Sequence, residues 1–514
     1  MWVTRFVTNR GDGFRAPLVW GTFALLMILA AVPLFSTVLP PLFDYPNHLA
    51  RMHLLAEGGN AFYAVHWAPL PNLAQDLIVP PLVRLMPLEL ASKLFLVLTF
   101  GLIASGTMWL NRVATGAWRP WPLLAFLLLY NRTFLWGFVN YLFGIGVALA
   151  GASLWLALEQ RSWRLRTAAS SLVALACYFS HIAAFGIYAL VIFGIELLPA
   201  FRELWTRRWT ALGRRVAIAG AQFAFPAALI LGYWHQTSSG AIGRLAFWRK
   251  ADLLFSVFDN YDRAFDIASF ALFLGLLGWL AWMRRLRPAR SLVWSVCLIF
   301  AVYLLLPSQM YGGSGTDHRL PIALFLLLIA ASAPRFPNRR AAVAVGIVAA
   351  ALLVARLAII EHVWWQADYI YSADLVGIDA LPRGARLAVA MPAGAIHMVP
   401  VPEAHLPTLA IARREAFVPT LFADLGQQPI VLTPPYAALA EATPPPLVWA
   451  AVVDGDFAQR ARLLSALEQY DFVAVIDNRP IYVPPNRCLI SIFERVSFQI
   501  FAILHGPSCT DNDR

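Results

Sequence analysis

The residues able to do chemistry gather in a few short segments of the 514-residue chain. The densest reads Leu42-Phe43-Asp44-Tyr45-Pro46-Asn47-His48-Leu49-Ala50-Arg51. Pro46 suits the first turn of a helix, where an N–H is not needed, so a short helix is expected to start there. Asn47 and Arg51 then share a face, with His48 beside them. A carboxylate, an imidazole and a guanidinium within two turns suit two tasks. Asp44 could take a proton from a hydroxyl, and Arg51 could bind phosphate, with Asn47 and His48 as further substrate-binding groups. The plainer alternative makes Asp44 a helix cap and Arg51 a headgroup anchor. Asp76 follows the polar stretch Pro71-Asn72-Leu73-Ala74-Gln75. It is expected to be a second acid or a metal ligand, or else another cap.

A second segment runs Ser308-Gln309-Met310-Tyr311-Gly312-Gly313-Ser314-Gly315-Thr316-Asp317-His318-Arg319-Leu320-Pro321. Its glycines permit a mobile loop. It lacks the Gly-Lys-Ser/Thr ending of a nucleotide-binding loop. Arg319 opens a helix, where a cation opposes the macrodipole, so it needs another reason to be there. Phosphate binding and anchoring in lipid both supply one. Asp317 and His318 join it as candidate binding residues. Arg132 and His181 complete the set, with His181 in a tight turn where a backbone hydrogen bond is the simpler role. Asp259, Asp262, Arg263 and Asp266 read as an interfacial charge cluster, and Arg356 as a side chain snorkelling to the surface.

These residues need something to hold them, and composition says what. Hydrophobic residues make up 60% and charged residues 13%, with a mean hydropathy of +0.64. Soluble domains run near 45–50% and about 25%. That excludes disorder, a disulfide scaffold and a cytosolic enzyme, and demands a polytopic membrane protein. The net charge of +11 does not indicate nucleic acid, because the arginines sit in short clusters between apolar runs. Lys93 and Lys250 are the only lysines.

Apolar runs at 17–39, 88–110, 120–130, 138–158, 167–179, 182–199, 216–235, 264–283, 291–307, 320–334 and 341–360 predict eleven crossings, with a break at Ser180-His181. The positive-inside rule supports this phase. Segments 1–16, 111–119, 159–166, 200–215, 284–290 and 335–340 carry twenty arginines. The opposite loops carry only Arg51, Arg84, Arg132, Arg244, Arg249, Lys250, Arg263 and Arg319. The N-terminus is therefore expected inside the inner (cytoplasmic) membrane and 361–514 outside. The polar residues, with Gln75, Asn131, His235 and Gln309, then fall at outer helix ends, as if lining a hydrophilic cavity.

The tail alternates β-rich runs, Arg386–Met391, Pro429–Thr433, Phe472–Asp477 and Leu489–Phe493, with helical stretches such as Asp456–Tyr470, which Asp456 is placed to cap. It reads as a compact α/β domain with no nucleotide, CxxC or HExxH motif. Its residues singled out are His397, His405 and Asp477. Cys488 and Cys509 would pair in an oxidising compartment. The expected division is thus 1–360, a transmembrane domain with a first outer loop at 40–87, and 361–514, a periplasmic α/β domain.

A first helix leaving the cytoplasm, an acid at the start of the first outer loop, helices within that loop and a C-terminal domain resemble the GT-C glycosyltransferases. Arg319-Leu320-Pro321 before an apolar helix looks like the opening of a late helix in protein-mannosyltransferase-like members. The resemblance implies a polyprenyl-phosphate sugar donor, with Asp44 as the base or as an acid organising the site. It implies inverting transfer to an extracytoplasmic lipid, glycan or protein, the departing phosphate being stabilised by Arg51, Arg132 or Arg319. Several branches carry Asp-Glu or Glu-x-His where this chain has Asp-Tyr-Pro-Asn-His, which leaves the acceptor and a divalent cation open. Membrane lipids are the other partner expected. Two other classes fit the same polarity: a transporter or flippase of a lipid-linked sugar, and a non-catalytic scaffold in envelope polysaccharide assembly. Against transport, no inverted repeat is visible.

Overall fold

The computed structural model describes residues 16–237, 243, 245, 247–310, 313–394 and 402–505. Arg5, Arg10, Arg15, Arg244, Tyr311, Gly312, His397 and Cys509 lie outside these, as does the His235 side chain. The expected Cys488–Cys509 pairing therefore lies outside them too.

The chain divides into two compact units. One holds residues up to Leu34, Pro69–Gln75 and Leu94–Glu361; the other holds Phe35–Ala68, Asp76–Lys93 and the chain from His362 onward. Residues 40–87 thus belong mostly to the same unit as the tail.

In the first unit and its extensions, six helices are long and apolar enough to cross a membrane: Ala16–Ser36, Leu88–Thr115, Val139–Ala157, Ile182–Trp205, Arg263–Trp282 and Arg339–Asp379. A pair bent by 54°, Trp209–Ala221 with Ala224–Gly232, makes a seventh if counted as one span. Most of the other apolar runs form shorter or more polar helices. Val293–Leu305 has 13 residues and Leu320–Ala330 has 11, about 20 Å or less at 1.5 Å per residue against a core of about 30 Å. The run 120–130 is not an α-helix. Trp121–Leu128 is a 3-10 segment of 8 residues, spanning about 16 Å. It is buried against Leu320–Ala330, and Trp121 Nε1 donates to Ser332 Oγ at 2.9 Å.

The break at Ser180-His181 is present and has a local cause. His181 is extended (φ −171°, ψ 138°). Its N–H closes the helix Trp163–Ser180 on the Cys177 carbonyl at 3.0 Å, and its Nδ1 accepts from Ala183 N at 3.0 Å to start the next. One residue ends one helix and caps the other.

Arg356 does not snorkel. It is 2% exposed. Its Nη1 lies 2.7 Å from Asp266 Oδ1, and its Nη2 donates to the Phe258 carbonyl at 2.9 Å and the Tyr130 carbonyl at 3.3 Å. A buried guanidinium is tolerated only when paired and hydrogen-bonded, and Asp266 leaves the expected surface cluster to do it.

In the second unit a four-stranded mixed sheet forms the centre. Leu387–Ala390 runs parallel to Phe472–Ile476. Phe498–Ile503 pairs antiparallel with Phe472–Ile476 on one side and Leu489–Glu494 on the other. The last of these, Phe498–Ile503, is a central strand the sequence reading did not mark. The run near Pro429 is a strand, Ile430–Leu432, but joins another sheet: it pairs with Tyr63–Val65 of the first outer loop. Asp456 Oδ1 accepts from Ala458 N and Gln459 N at 2.9 and 3.1 Å, capping the helix Phe457–Leu467.

Candidate functional site

In the second unit the helix Tyr45–Glu57 carries the first candidate cluster, with Pro46 in its first turn. It is closed by Gly58, whose φ of 87° suits glycine. Residues Tyr45 through Met52 are buried, which a helix lying on a membrane surface would not show. Asp44 occupies the cap position, yet its side chain makes no capping hydrogen bond. The capping alternative thus has no geometry behind it. One carboxylate oxygen, Oδ1, lies 3.6 Å from His405 Nε2, with both side chains about one-seventh exposed.

Asn47 and Arg51 share a face but serve different partners. Asn47 Nδ2 donates to the Thr420 carbonyl at 2.9 Å and lies 3.3 Å from His405 Nδ1. Its Oδ1 accepts from Phe422 N at 2.8 Å. Arg51 reaches Asp76 instead, Nε to Oδ1 at 2.7 Å and Nη2 to Oδ2 at 3.3 Å. Both side chains are almost wholly buried. Arg51 and Asp76, expected as a phosphate ligand and a second acid, are therefore each other's partner. His48 is buried in the same helix.

The turn bearing His405 is anchored by a buried carboxyl pair. Glu403 Oε1 accepts from Ser497 Oγ at 3.0 Å. Asp374, with a fully buried side chain, lies 3.4 Å from Arg495 Nε.

In the first unit the second cluster forms around Arg132 and Arg319. Asn131 caps the short helix Arg132–Leu135, its Oδ1 accepting from Phe134 N at 3.1 Å. Arg132 pairs with Asp259 and lies 3.7 Å from Asp252. Thr133 Oγ1 donates to the His318 carbonyl at 3.4 Å, which joins this helix to the turn Asp317–Arg319. The His318 ring stacks on Trp136 at 4.7 Å. Burial first, then Arg132, Arg249 and Arg319, pull His318 down to about 4, so it is neutral at physiological pH. Arg319 lies over the Phe138 ring at 4.5 Å and donates to the Gly315 carbonyl at 2.9 Å. Its own carbonyl accepts from the Tyr141 hydroxyl, and Tyr141 packs edge-on against His181.

Lys250 is the residue of this cluster that sequence reasoning passed over. Its Nζ lies 2.9 Å from Asp317 Oδ2 and donates to the Leu306 carbonyl at 2.6 Å. The available signal was its rarity, one of two lysines among 40 basic residues. The structure thus assembles Asp44, Asn47 and His405 in one place, Arg51 with Asp76 in another, and Arg132, Asp317, His318 and Arg319 with Lys250 in a third. His181 serves as a helix cap and packs against Tyr141 beside the last group. Among the described residues no three His, Cys, Asp or Glu side chains converge to hold a metal ion. Asp477 accepts from its neighbour Asn478 N at 2.7 Å.

No protein-family model matches the chain, and no curated protein matches it in sequence. Solved structures do resemble it. ArnT from Cupriavidus metallidurans bound to undecaprenyl phosphate superposes with a TM-score of 0.53 at 12% identity, covering 95% of this chain and 98% of that one. The apo form of that protein gives 0.49 at 14% identity, covering 94% and 98%. The arabinofuranosyltransferase AftD from Mycobacteria gives 0.42 at 14% identity, over 98% of this chain and 42% of that one. The likeness to the first runs through nearly the full length of both chains, and the chain shares that protein's overall fold.

Proposed function

We propose that the protein transfers a sugar from a polyprenyl-phosphate donor to an acceptor hydroxyl at the outer face of the inner membrane. The carrying observation is the end-to-end fold likeness to ArnT solved with undecaprenyl phosphate bound. Eleven crossings, with residues 361–514 on the outer side, are part of this reading and are supported by the arginine asymmetry. Asp44 acts as the general base, because it is an acid left out of helix capping and lies at the first outer loop. The acceptor oxygen attacks the anomeric carbon in line and its proton passes to Asp44. The bond from the anomeric carbon to the phosphate oxygen breaks with inversion, and polyprenyl phosphate departs. Separately, the basic cluster of the first unit, Arg132, Lys250 and Arg319, is read as binding donor phosphate. Arg319 is the strongest of them, since its stacking on Phe138 leaves a planar fork oriented.

The test is transfer of tritiated sugar from undecaprenyl-phosphate-linked pentoses and hexoses into an envelope extract, by the full-length protein in nanodiscs. Arg319→Lys keeps the charge and loses the fork. It is expected to raise the donor KM about 10-fold, the value of roughly one charge-assisted hydrogen bond, with kcat changed less. Wild-type protein that moves intact lipid-linked sugar across the bilayer without cleaving it would replace this reading with transport.

A further inference from the structure

We infer that His405 is a positioning residue for Asp44, presenting a fixed Nε2–H to one oxygen of the carboxylate. This rests on the reading of Asp44 as the base. It begins with the ring. His405 stands edge-on to Phe43 and to Phe422, with centroids 4.9 and 5.0 Å away and interplanar angles of 81° and 69°. Two aromatic neighbours restrict the plane it can adopt. The turn is fixed as well: Thr408 N and Oγ1 donate to the His405 carbonyl at 3.1 and 2.7 Å, and the Tyr371 hydroxyl donates to the Pro402 carbonyl at 2.8 Å.

Asn47 then decides which nitrogen carries the proton. Its amide has a backbone donor at one end, Phe422 N, and a backbone acceptor at the other, the Thr420 carbonyl. Only one orientation of the amide satisfies both. That orientation turns Nδ2, a donor, toward His405 Nδ1 at 3.3 Å. Nδ1 must therefore be the acceptor, and a neutral imidazole with Nδ1 bare holds its hydrogen on Nε2. Nε2 is the atom 3.6 Å from Asp44 Oδ1. That separation is longer than a hydrogen bond, but such contacts commonly tighten when substrate binds.

The same arrangement keeps His405 from taking the proton itself. A second N–H at Nδ1 would point into the Asn47 amide, and burial separately holds the ring down to about 4. His405 stays neutral across the working range. A donor aimed at Oδ1 sets the carboxylate's rotation.

Side-chain geometry supplies the test. Gln places its amide nitrogen where Nε2 stands, whereas Asn places its amide near Nδ1, and Phe keeps the ring without any N–H. His405→Gln is expected to keep kcat within about 3-fold of wild type. His405→Asn and His405→Phe should lower it about 10–100-fold, with the donor KM within about 2-fold and the thermal midpoint unchanged. A flat series, or Asn rescuing better than Gln, would overturn the inference while a dead Asp44→Asn leaves the base assignment standing. An active Asp44→Asn would instead remove the base assignment. A second readout needs no activity: ¹⁵N-histidine spectra, with His405 assigned by difference from His405→Gln, should show a neutral Nε2–H ring. An Nδ1–H tautomer or an imidazolium at pH 7 would overturn the inference directly.

Discussion

Asp44→Asn is expected to abolish measurable sugar transfer while leaving yield and thermal stability as in the wild type. The loss follows from the proton. An acceptor hydroxyl is a poor nucleophile until a base takes its hydrogen, and a positioned base contributes about 10²–10⁴-fold. An amide has almost the shape of a carboxylate but no basicity at neutral pH. The stability half of the prediction comes from the helix start. Asp44 sits at the cap position without a side-chain capping bond, so even Asp44→Ala forfeits no cap, where true caps cost about 1 kcal/mol to remove. Asn and Ala should therefore be equally inactive and nearly equally stable. A residue serving only the fold would give the opposite pattern, with Asn silent and Ala destabilised. Full transfer by Asp44→Asn from an undecaprenyl-phosphate sugar would end the assignment.

What could be read from the sequence was local. The apolar runs, the break at His181 and the Asp456 cap all depend on neighbours within a few residues, and period and turn chemistry report those. Most of what the structure changes involves partners far along the chain. Arg356 is expected to snorkel because it lies near the outer end of its helix, but its partner Asp266 is 90 residues away. The strand near Pro429 was recognisable as a strand, but not as a mate of Tyr63–Val65. That pairing joins residues 63–65 to the tail within one unit. Thus His405 meets Asp44 across more than 350 residues of chain. The run at 120–130 differs in another way: it is a buried 3-10 segment rather than an α-helix. Composition does not distinguish a buried segment from a crossing helix over so short a stretch.

Arg51 and Asp76 show how far such pairing changes a functional reading, and they carry the second large effect. Their side chains are about 1% and 0% exposed, joined by two contacts of 2.7 and 3.3 Å. Removing one member of such a pair leaves an uncompensated charge in a low-dielectric surround, which costs about 3–5 kcal/mol, whereas replacing both by apolar groups is often neutral. Asp76→Asn and Arg51→Met are each expected to lower the thermal midpoint sharply or abolish recovery of monodisperse protein. The double variant Arg51→Met/Asp76→Leu should recover most of that stability. Activity then separates a strut from a second acid. If the pair only holds the helix Tyr45–Glu57 against the segment that begins at Ala74, transfer should return in the double variant along with the fold. If Asp76 acts on substrate, the double variant should be stable and inactive. The buried bidentate geometry favours the first outcome, because a carboxylate committed at both oxygens to one guanidinium has little basicity left for a substrate proton.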